Sequence, residues 1–154
     1  FNSFASQDFT FSAIGDVVYQ GTAAKHLAFN AALSVGASLK VDMLVFEADG
    51  SVTAGAETSA VHAGMLKFNI DIRNWAFCDA AAEAGAGVCA KGQTRQHGEW
   101  LELDMTFKGS AAADGLVRAA NGADVLTLGG ADVTLSRQVK ADGAWTTMPA
   151  GFPR

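Results

Sequence analysis

The strictest pattern in the sequence is the alternation of apolar and polar residues between Leu66 and Arg73. Every even-numbered residue of this segment is large and apolar, and every odd-numbered residue is polar. Successive side chains of a β-strand point to opposite faces of a sheet, so a period of two predicts a strand with one buried and one wet face. The segment from Trp100 to Phe107 repeats the pattern, with Leu101, Leu103, Met105 and Phe107 pointing one way.

Further strands are predicted along the chain from the same signal. The segments Leu39 to Val45 and Leu27 to Val35 alternate clearly, and they complete a set of four strong strands. Weaker candidates cover residues 8–14, 17–20, 51–54, 116–119, 124–128, 132–139 and 144–148.

Turn signals between these segments favour antiparallel connections. Ala-Asp-Gly occurs at 48–50, 113–115 and 141–143, and Asn121-Gly122 adds another site where the chain tolerates positive φ angles. Both prolines, Pro149 and Pro153, lie near the C-terminus, so proline bars no strand from the middle of a sheet. We therefore expect a single all-β domain over residues 1–154, an antiparallel two-sheet β-sandwich or jelly roll rather than a closed barrel.

Composition and charge exclude several classes of protein. The chain has 154 residues, of which 49% are hydrophobic and 18% charged, so it is too apolar for charge-driven disorder. Its net charge is −5 and its basic residues are scattered, which argues against a nucleic-acid partner. No stretch approaches the length of about 18 apolar residues that a membrane-spanning helix needs, so we expect no membrane span.

The two cysteines, Cys78 and Cys89, share one stretch rich in alanine and glycine, and their number and spacing suit a disulfide. Such a bridge would contribute about 3 kcal/mol by restricting the unfolded loop, and it would indicate an extracellular or other oxidising compartment. Two reduced thiols in a cytosolic protein are the alternative. Zinc is not expected, because these cysteines and His97 leave the site one ligand short.

A long loop separates the strands at 66–73 and 100–107, and a tryptophan flanks it on each side. Trp75 and Trp100 both fall on the wet face of their strands, and His97 lies in the loop between them. Exposed tryptophans stack on sugar rings or anchor protein partners, so we predict a ligand-binding site at Trp75, His97 and Trp100. The alternative is that other parts of the chain cover both tryptophans and make them core residues.

The pairing of these two strands has two possible registers. One places Trp75 opposite Trp100, and the other places Arg73 opposite Asp104. Both keep the apolar residues on one face, so the sequence leaves the register open.

Catalytic signatures are missing from the sequence. The histidines His26, His62 and His97 belong to no HExxH motif, and no G-x-S-x-G elbow is present. The carboxylates Asp71, Glu102 and Asp104 are better explained as surface ion pairs with Arg73 and Lys67 than as a glycosidase pair. We expect no enzyme, no cofactor and no metal site.

These observations predict a non-catalytic extracytoplasmic structural or protein-interaction subunit of a larger assembly, with other protein subunits as its partners. Low charge and abundant alanine and glycine suit a surface that packs against neighbours. The alternative function is a carbohydrate or small-ligand binding module that uses the aromatic face.

Overall fold

A computed structural model describes residues 7–33, 36–75, 77–78, 94–95, 113–118, 124–128 and 131–148. Within these ranges the chain forms β-strands and contains no α-helix. All pairings between them are antiparallel except one short pair, and the sheets are open. The all-β antiparallel class is confirmed, whereas the two-sheet sandwich or jelly roll is not.

The chain divides into two compact units. The first comprises residues 1–50 and 61–103, and the second comprises residues 51–60 and 104–154. The expectation of one domain spanning 1–154 stays a prediction.

A five-stranded sheet dominates the first unit, with β3 and β4 at its centre. β7 pairs with the free side of β4, and β1 and β2 both pair with the other side of β3. A two-stranded sheet of β5 and β6 lies between β4 and β7 in sequence. The first seven strands are β1 (Phe9–Phe11), β2 (Gly15–Tyr19), β3 (Thr22–Ala32), β4 (Ser38–Phe46), β5 (Gly50–Ala54), β6 (Glu57–Val61) and β7 (Leu66–Arg73).

The five-stranded sheet has one face that carries Val41 and one that carries Asp42, because neighbours on a strand point to opposite sides. The registers of β1, β3, β4 and β7 then place every other residue on its face. What we call the Val41 face comprises Phe9, Phe11, Ala23, Lys25, Leu27, Phe29, Ala31, Leu39, Val41, Met43, Val45, Leu66, Phe68, Ile70 and Ile72, and the Asp42 face comprises Thr10, Thr22, Ala24, His26, Ala28, Asn30, Ala32, Ser38, Lys40, Asp42, Leu44, Phe46, Lys67, Asn69, Asp71 and Arg73.

The buried core of the sheet is divided between its two faces. On the Asp42 face, Leu44 and Phe46 are buried at one end of β4, and the ring of Tyr19 lies 6.4 Å from that of Phe46. On the Val41 face, the buried residues are Leu39 and Val41 at the other end of the same strand. Burial therefore crosses from one face to the other along β4.

Two-residue hairpin turns close two of the strand pairs. Gln20 and Gly21 connect β2 to β3 with φ angles of 49° and 87°, and Asp142 and Gly143 form a second turn with φ angles of 48° and 83°. Positive φ at both central residues is what a type I′ hairpin requires. The sequence signal predicted the Asp142-Gly143 turn but missed Gln20-Gly21.

The other two Ala-Asp-Gly segments are not hairpin turns, which corrects the sequence interpretation. Gly50 begins β5, and a Cβ atom there would lie 2.1 Å from Oγ1 of Thr22. Gly115 follows a register shift from the pair Ala113↔Leu128 to the pair Gly115↔Thr127. The first glycine therefore serves a close approach, and the second accompanies a β-bulge. Asn121-Gly122 lies outside the described residues.

In the second unit, β10, β11 and β12 form a three-stranded antiparallel sheet, and β13 and β14 form a hairpin. Glu57 accepts a hydrogen bond of 3.0 Å from the hydroxyl of Ser136. In the first unit, β8 pairs with β9 in parallel. The remaining strands are β8 (Phe77–Cys78), β9 (Thr94–Arg95), β10 (Ala113–Arg118), β11 (Asp124–Leu128), β12 (Ala131–Leu135), β13 (Gln138–Ala141) and β14 (Ala144–Thr147).

Strand prediction succeeded where alternation was strict. The segments 66–73 and 124–128 match β7 and β11 residue for residue, and 39–45 falls within β4. The segment 27–35 overlaps β3, which begins earlier, at Thr22. The segment 132–139 is divided between β12 and β13, and β6 was missed. The predicted strand at 100–107 lies outside the described residues.

Candidate functional site

A row of polar side chains crosses four strands on the Asp42 face. Thr10 lies opposite Asn30, Asn30 opposite Lys40, and Lys40 opposite Asp71. The row joins β1, β3, β4 and β7, and alternation keeps all four side chains on one side. Arg73 extends it, because its Nε lies 2.7 Å and its Nη2 2.6 Å from Oδ2 of Asp71.

This row lines an open depression of about 620 Å³. Asp8 and Asp71 supply negative charge to its wall, and Lys40 and Arg73 supply positive charge. The charges balance, so the depression suits a polar ligand of little net charge better than a strong anion. No aromatic side chain of the described residues lines it.

Next to the depression, Asp42 contacts the side chains of His26 and Lys40. Its Oδ1 lies 2.7 Å from Nε2 of His26 and accepts a hydrogen bond of 3.0 Å from Nζ of Lys40. Partial burial acts to raise the pKa of Asp42, but these hydrogen bonds and the charges of both neighbours outweigh burial and lower that pKa below its ordinary value. The carboxylate is therefore held ionised.

A His–Asp pair does catalytic work only when a nucleophile or a substrate proton is within reach of the histidine. Ser12 contacts the backbone of Ala28 on the neighbouring strand, since its Oγ accepts a 2.9 Å hydrogen bond from that amide. The described ranges also contain no group of three His, Cys, Asp or Glu side chains arranged to hold a metal ion. Nε2 of His26 on β3 and Oδ1 of Asp42 on β4 thus form a polar contact across two strands.

The Val41 face carries exposed apolar side chains on β1, β4 and β7, whereas Ala31 on β3 and Leu39 and Val41 on β4 are buried. The exposed fraction is 67% for Phe11, 46% for both Leu66 and Phe68, and 39% for Ile70. On a monomeric protein, an exposed apolar patch that spans several strands is a marker of an interaction site. Where β2 joins the sheet, Lys25 on this side pairs with Asp16, and its Nζ lies 3.5 Å from Oε1 of Glu47.

The edge strand β7 reverses the expected burial. The sequence predicts that its apolar residues are buried and its polar residues wet. In the structure Leu66, Phe68 and Ile70 are exposed, whereas Lys67 and Asn69 are partly buried. Alternation fixed which residues share a face, but within the part of the chain that the structure describes no element covers Leu66, Phe68 and Ile70.

The predicted ligand-binding residues fall mostly beyond what the structure describes. Trp75 is partly buried and follows Asn74, whose φ of 54° marks the end of β7. His97 and Trp100 lie outside the described residues, so their approach to Trp75 stays a prediction. Cys78 lies in β8 and Cys89 is outside the described residues, so the disulfide also stays a prediction.

The sequence did not predict the polar row on the Asp42 face or the exposed apolar side chains of the Val41 face. It named Asp71, Arg73 and Lys67 as surface ion-pair residues, but it gave no sign that Thr10, Asn30 and Lys40 continue the row. The signal was available only as a register: four alternating segments in fixed antiparallel pairings would have produced the row.

The fold and the two faces define a class: an all-β protein with exposed apolar side chains on one sheet face, whose described polar groups form ion pairs rather than a catalytic arrangement. The family model of acidic skeletal organic matrix proteins matches residues 1–121 of the chain, and the chain belongs to this family. The chain has 16 acidic and 11 basic residues, and this excess of acidic residues agrees with that description. The family indicates an extracellular structural protein associated with biomineralization.

No solved structure matches the chain. Among the described residues, no helix is long and apolar enough to cross a membrane.

Proposed function

We propose that the chain is a non-catalytic structural subunit of an extracellular skeletal organic matrix, and that it assembles with other protein subunits through the Val41 face. The observation that carries the proposal is the exposure of apolar side chains on β1 and β7, which lie at opposite edges of the sheet. Water contact with such a surface is unfavourable by about 25 cal/mol per Å², and association removes that contact. Membership of a matrix protein family supports the same function.

Particle size tests this function directly. Light scattering on material purified from its natural source should show a particle several times the 15.9 kDa mass of one chain. A monomer at every concentration would contradict the proposal.

The surface itself is tested with the recombinant chain. The double variant Phe11→Thr, Val45→Thr replaces one exposed apolar side chain on each of β1 and β4, and it should weaken association by about tenfold or more. Val139→Thr is the matched control, because Val139 is 44% exposed and lies in the second unit. Equal association of the double variant and the control would show that the Val41 face is not the contact.

The depression on the Asp42 face favours a second candidate function, binding of a neutral polar ligand such as a carbohydrate. It offers hydroxyl, amide and paired charged groups in one row. A glycan array followed by titration calorimetry tests this function, with Asn30→Ala as the binding variant and Asn69→Ala as the control on the same face. If no glycan binds, or if both variants lose the same affinity, the depression is excluded as the site.

A further inference from the structure

The hairpin of β13 and β14 in the second unit carries an exposed tryptophan. Trp145 is 48% exposed, and the strand register places it directly opposite Lys140. Nζ of Lys140 lies 5.9 Å from the centre of the Trp145 ring, within the range of a cation–π contact. No described residue accepts a hydrogen bond from the indole nitrogen. The side chain therefore offers a flat apolar surface next to an available N–H donor.

Two polar side chains lie on the same face of the hairpin as Trp145. Gln138 pairs with Thr147 across the two strands, and alternation puts this pair on the face of Trp145. Nε2 of Gln138 donates a hydrogen bond of 3.0 Å to Oγ1 of Thr147 and one of 3.4 Å to Oε1 of Glu57. A carboxylate only accepts hydrogen bonds, so Glu57 fixes which end of the Gln138 amide faces it.

This network leaves one acceptor and one donor for a ligand. Both amide hydrogens of Gln138 are used, and no described residue donates a hydrogen bond to its Oε1. The hydroxyl of Thr147 accepts from Gln138 and keeps its own hydrogen to donate. The hydroxyl of Ser136 holds the other oxygen of Glu57, at 3.0 Å. The polar groups are therefore oriented before any ligand binds.

Gly55, in the turn between β5 and β6, brings the acceptor and the ring together. A Cβ atom at this position would collide with Oε1 of Gln138 and would lie 3.2 Å from Cβ of Trp145. The amide oxygen and the base of the tryptophan side chain thus lie beside the same backbone position. The absence of a side chain at Gly55 is what allows this arrangement.

An apolar plane beside hydrogen-bonding groups suits a pyranose sugar with equatorial substituents. Such a ring has an apolar face of axial C–H groups, which stacks on an indole, and a rim of hydroxyls, which both donate and accept hydrogen bonds. Ligand sites typically combine an aromatic surface with a few placed polar groups in this way. A purely apolar partner would cover the oxygen of Gln138 and the hydroxyl of Thr147 without bonding them, which is unfavourable.

We propose that the second unit binds a carbohydrate at a tryptophan site that comprises Gln138, Lys140, Trp145 and Thr147. The sugar ring stacks on Trp145, Oε1 of Gln138 accepts a hydrogen bond from one sugar hydroxyl, and the hydroxyl of Thr147 donates to another sugar oxygen. This binding goes beyond the proposed assembly function. The site also uses other residues than the depression on the Asp42 face, which no described aromatic side chain lines.

A nuclear magnetic resonance titration of the isotope-labelled chain with cellohexaose, a neutral β-linked glucose oligomer, tests the site. The indole N–H signal of Trp145 is identified by its loss in Trp145→Phe, and it should shift to saturation with an about millimolar dissociation constant. Trp145→Ala should abolish the accompanying shift of the Thr147 amide. Trp145→Phe keeps a flat ring and should retain binding within about tenfold.

Neighbouring threonines of β14 supply a matched control. Thr147 lies on the face of Trp145 and Thr146 on the opposite face, since neighbours on a strand point to opposite sides. Thr147→Ala should weaken binding by about threefold or more, because a donor is lost, and Thr146→Ala should leave it unchanged. The dispersion of the amide signals shows whether each variant is folded. If Trp145→Ala is not folded, the two threonine variants decide the result.

The outcomes separate the tryptophan site from the other proposals. No shift of the Trp145 signal at the highest soluble concentration of cellohexaose overturns the site, and so does equal affinity of Thr147→Ala and Thr146→Ala. Binding that Asn30→Ala abolishes and Trp145→Ala leaves intact would also overturn it and would place the sugar in the depression. Assembly through the Val41 face is judged by particle size, which none of these results changes.

Discussion

The two faces of the five-stranded sheet are built from the same strands, yet they differ in how far their side chains are buried or paired within the chain. On the Asp42 face the apolar residues at one end are buried, and the polar residues at the other end form ion pairs and line a depression. On the Val41 face the apolar residues extend across four strands, and many of them remain exposed. The Asp42 face is therefore largely buried or paired within the described residues, whereas several apolar side chains of the Val41 face are exposed.

The largest expected effect comes from adjacent residues of β4 that point to opposite faces. Phe46 is 1% exposed and Val45 is 41% exposed. Phe46→Ala should lower the free energy of unfolding by about 3–5 kcal/mol, because it leaves a cavity in the core, whereas Val45→Ala should cost less than about 1 kcal/mol. Urea unfolding of both variants measures the difference, and similar losses would remove the distinction between the two faces.

A second effect concerns the end of the Asp42 face at which Leu44 and Phe46 are buried. A methyl group at Gly50 would meet the side chain of Thr22, so Gly50→Ala should destabilise the protein by about 1–3 kcal/mol. Gly15→Ala is the matched control, because nothing lies within 4 Å of a Cβ atom there. Adding Thr22→Ala to the Gly50 variant should recover part of the loss in thermal unfolding, and no recovery would show that the steric contact is not the cause.

The smallest effect belongs to the ion pairs of the Asp42 face. The folded pKa of Asp42 lies below its ordinary value of 3.8, so its stabilising contribution is present above that value and is lost as the pH falls through the folded pKa. Asp42→Asn should cost about 1 kcal/mol at pH 7 and almost nothing near pH 2. Unfolding curves at both pH values check this prediction, and a loss independent of pH would contradict it.

How far the sequence predicted the fold depended on the range of the interaction. Strict alternation placed β7 correctly, because strand periodicity is a property of neighbouring residues. The turn signal was less reliable: Asp142-Gly143 is a hairpin turn, but Gly50 serves a contact with Thr22, and Gly115 follows a bulge in β10. A dipeptide that permits a turn does not require one, since the same glycine permits a close approach or an irregular pairing.

The candidate sites were harder to predict because they depend on register. Asp71 and Arg73 were recognised as an ion-pair region from their positions on one strand face. Their alignment with Lys40 and Asn30 needs two antiparallel pairings with fixed offsets, and the sequence leaves such offsets open by steps of two residues.

The sequence by itself determined that this protein is all-β, where several of its strands lie, and which residues of each strand share a face. Those properties follow from local geometry, in which side chains alternate every residue. Only the tertiary structure decided which face is covered, because burial depends on what packs against a sheet. The exposed apolar side of β7 and the change of buried face along β4 are results of that packing.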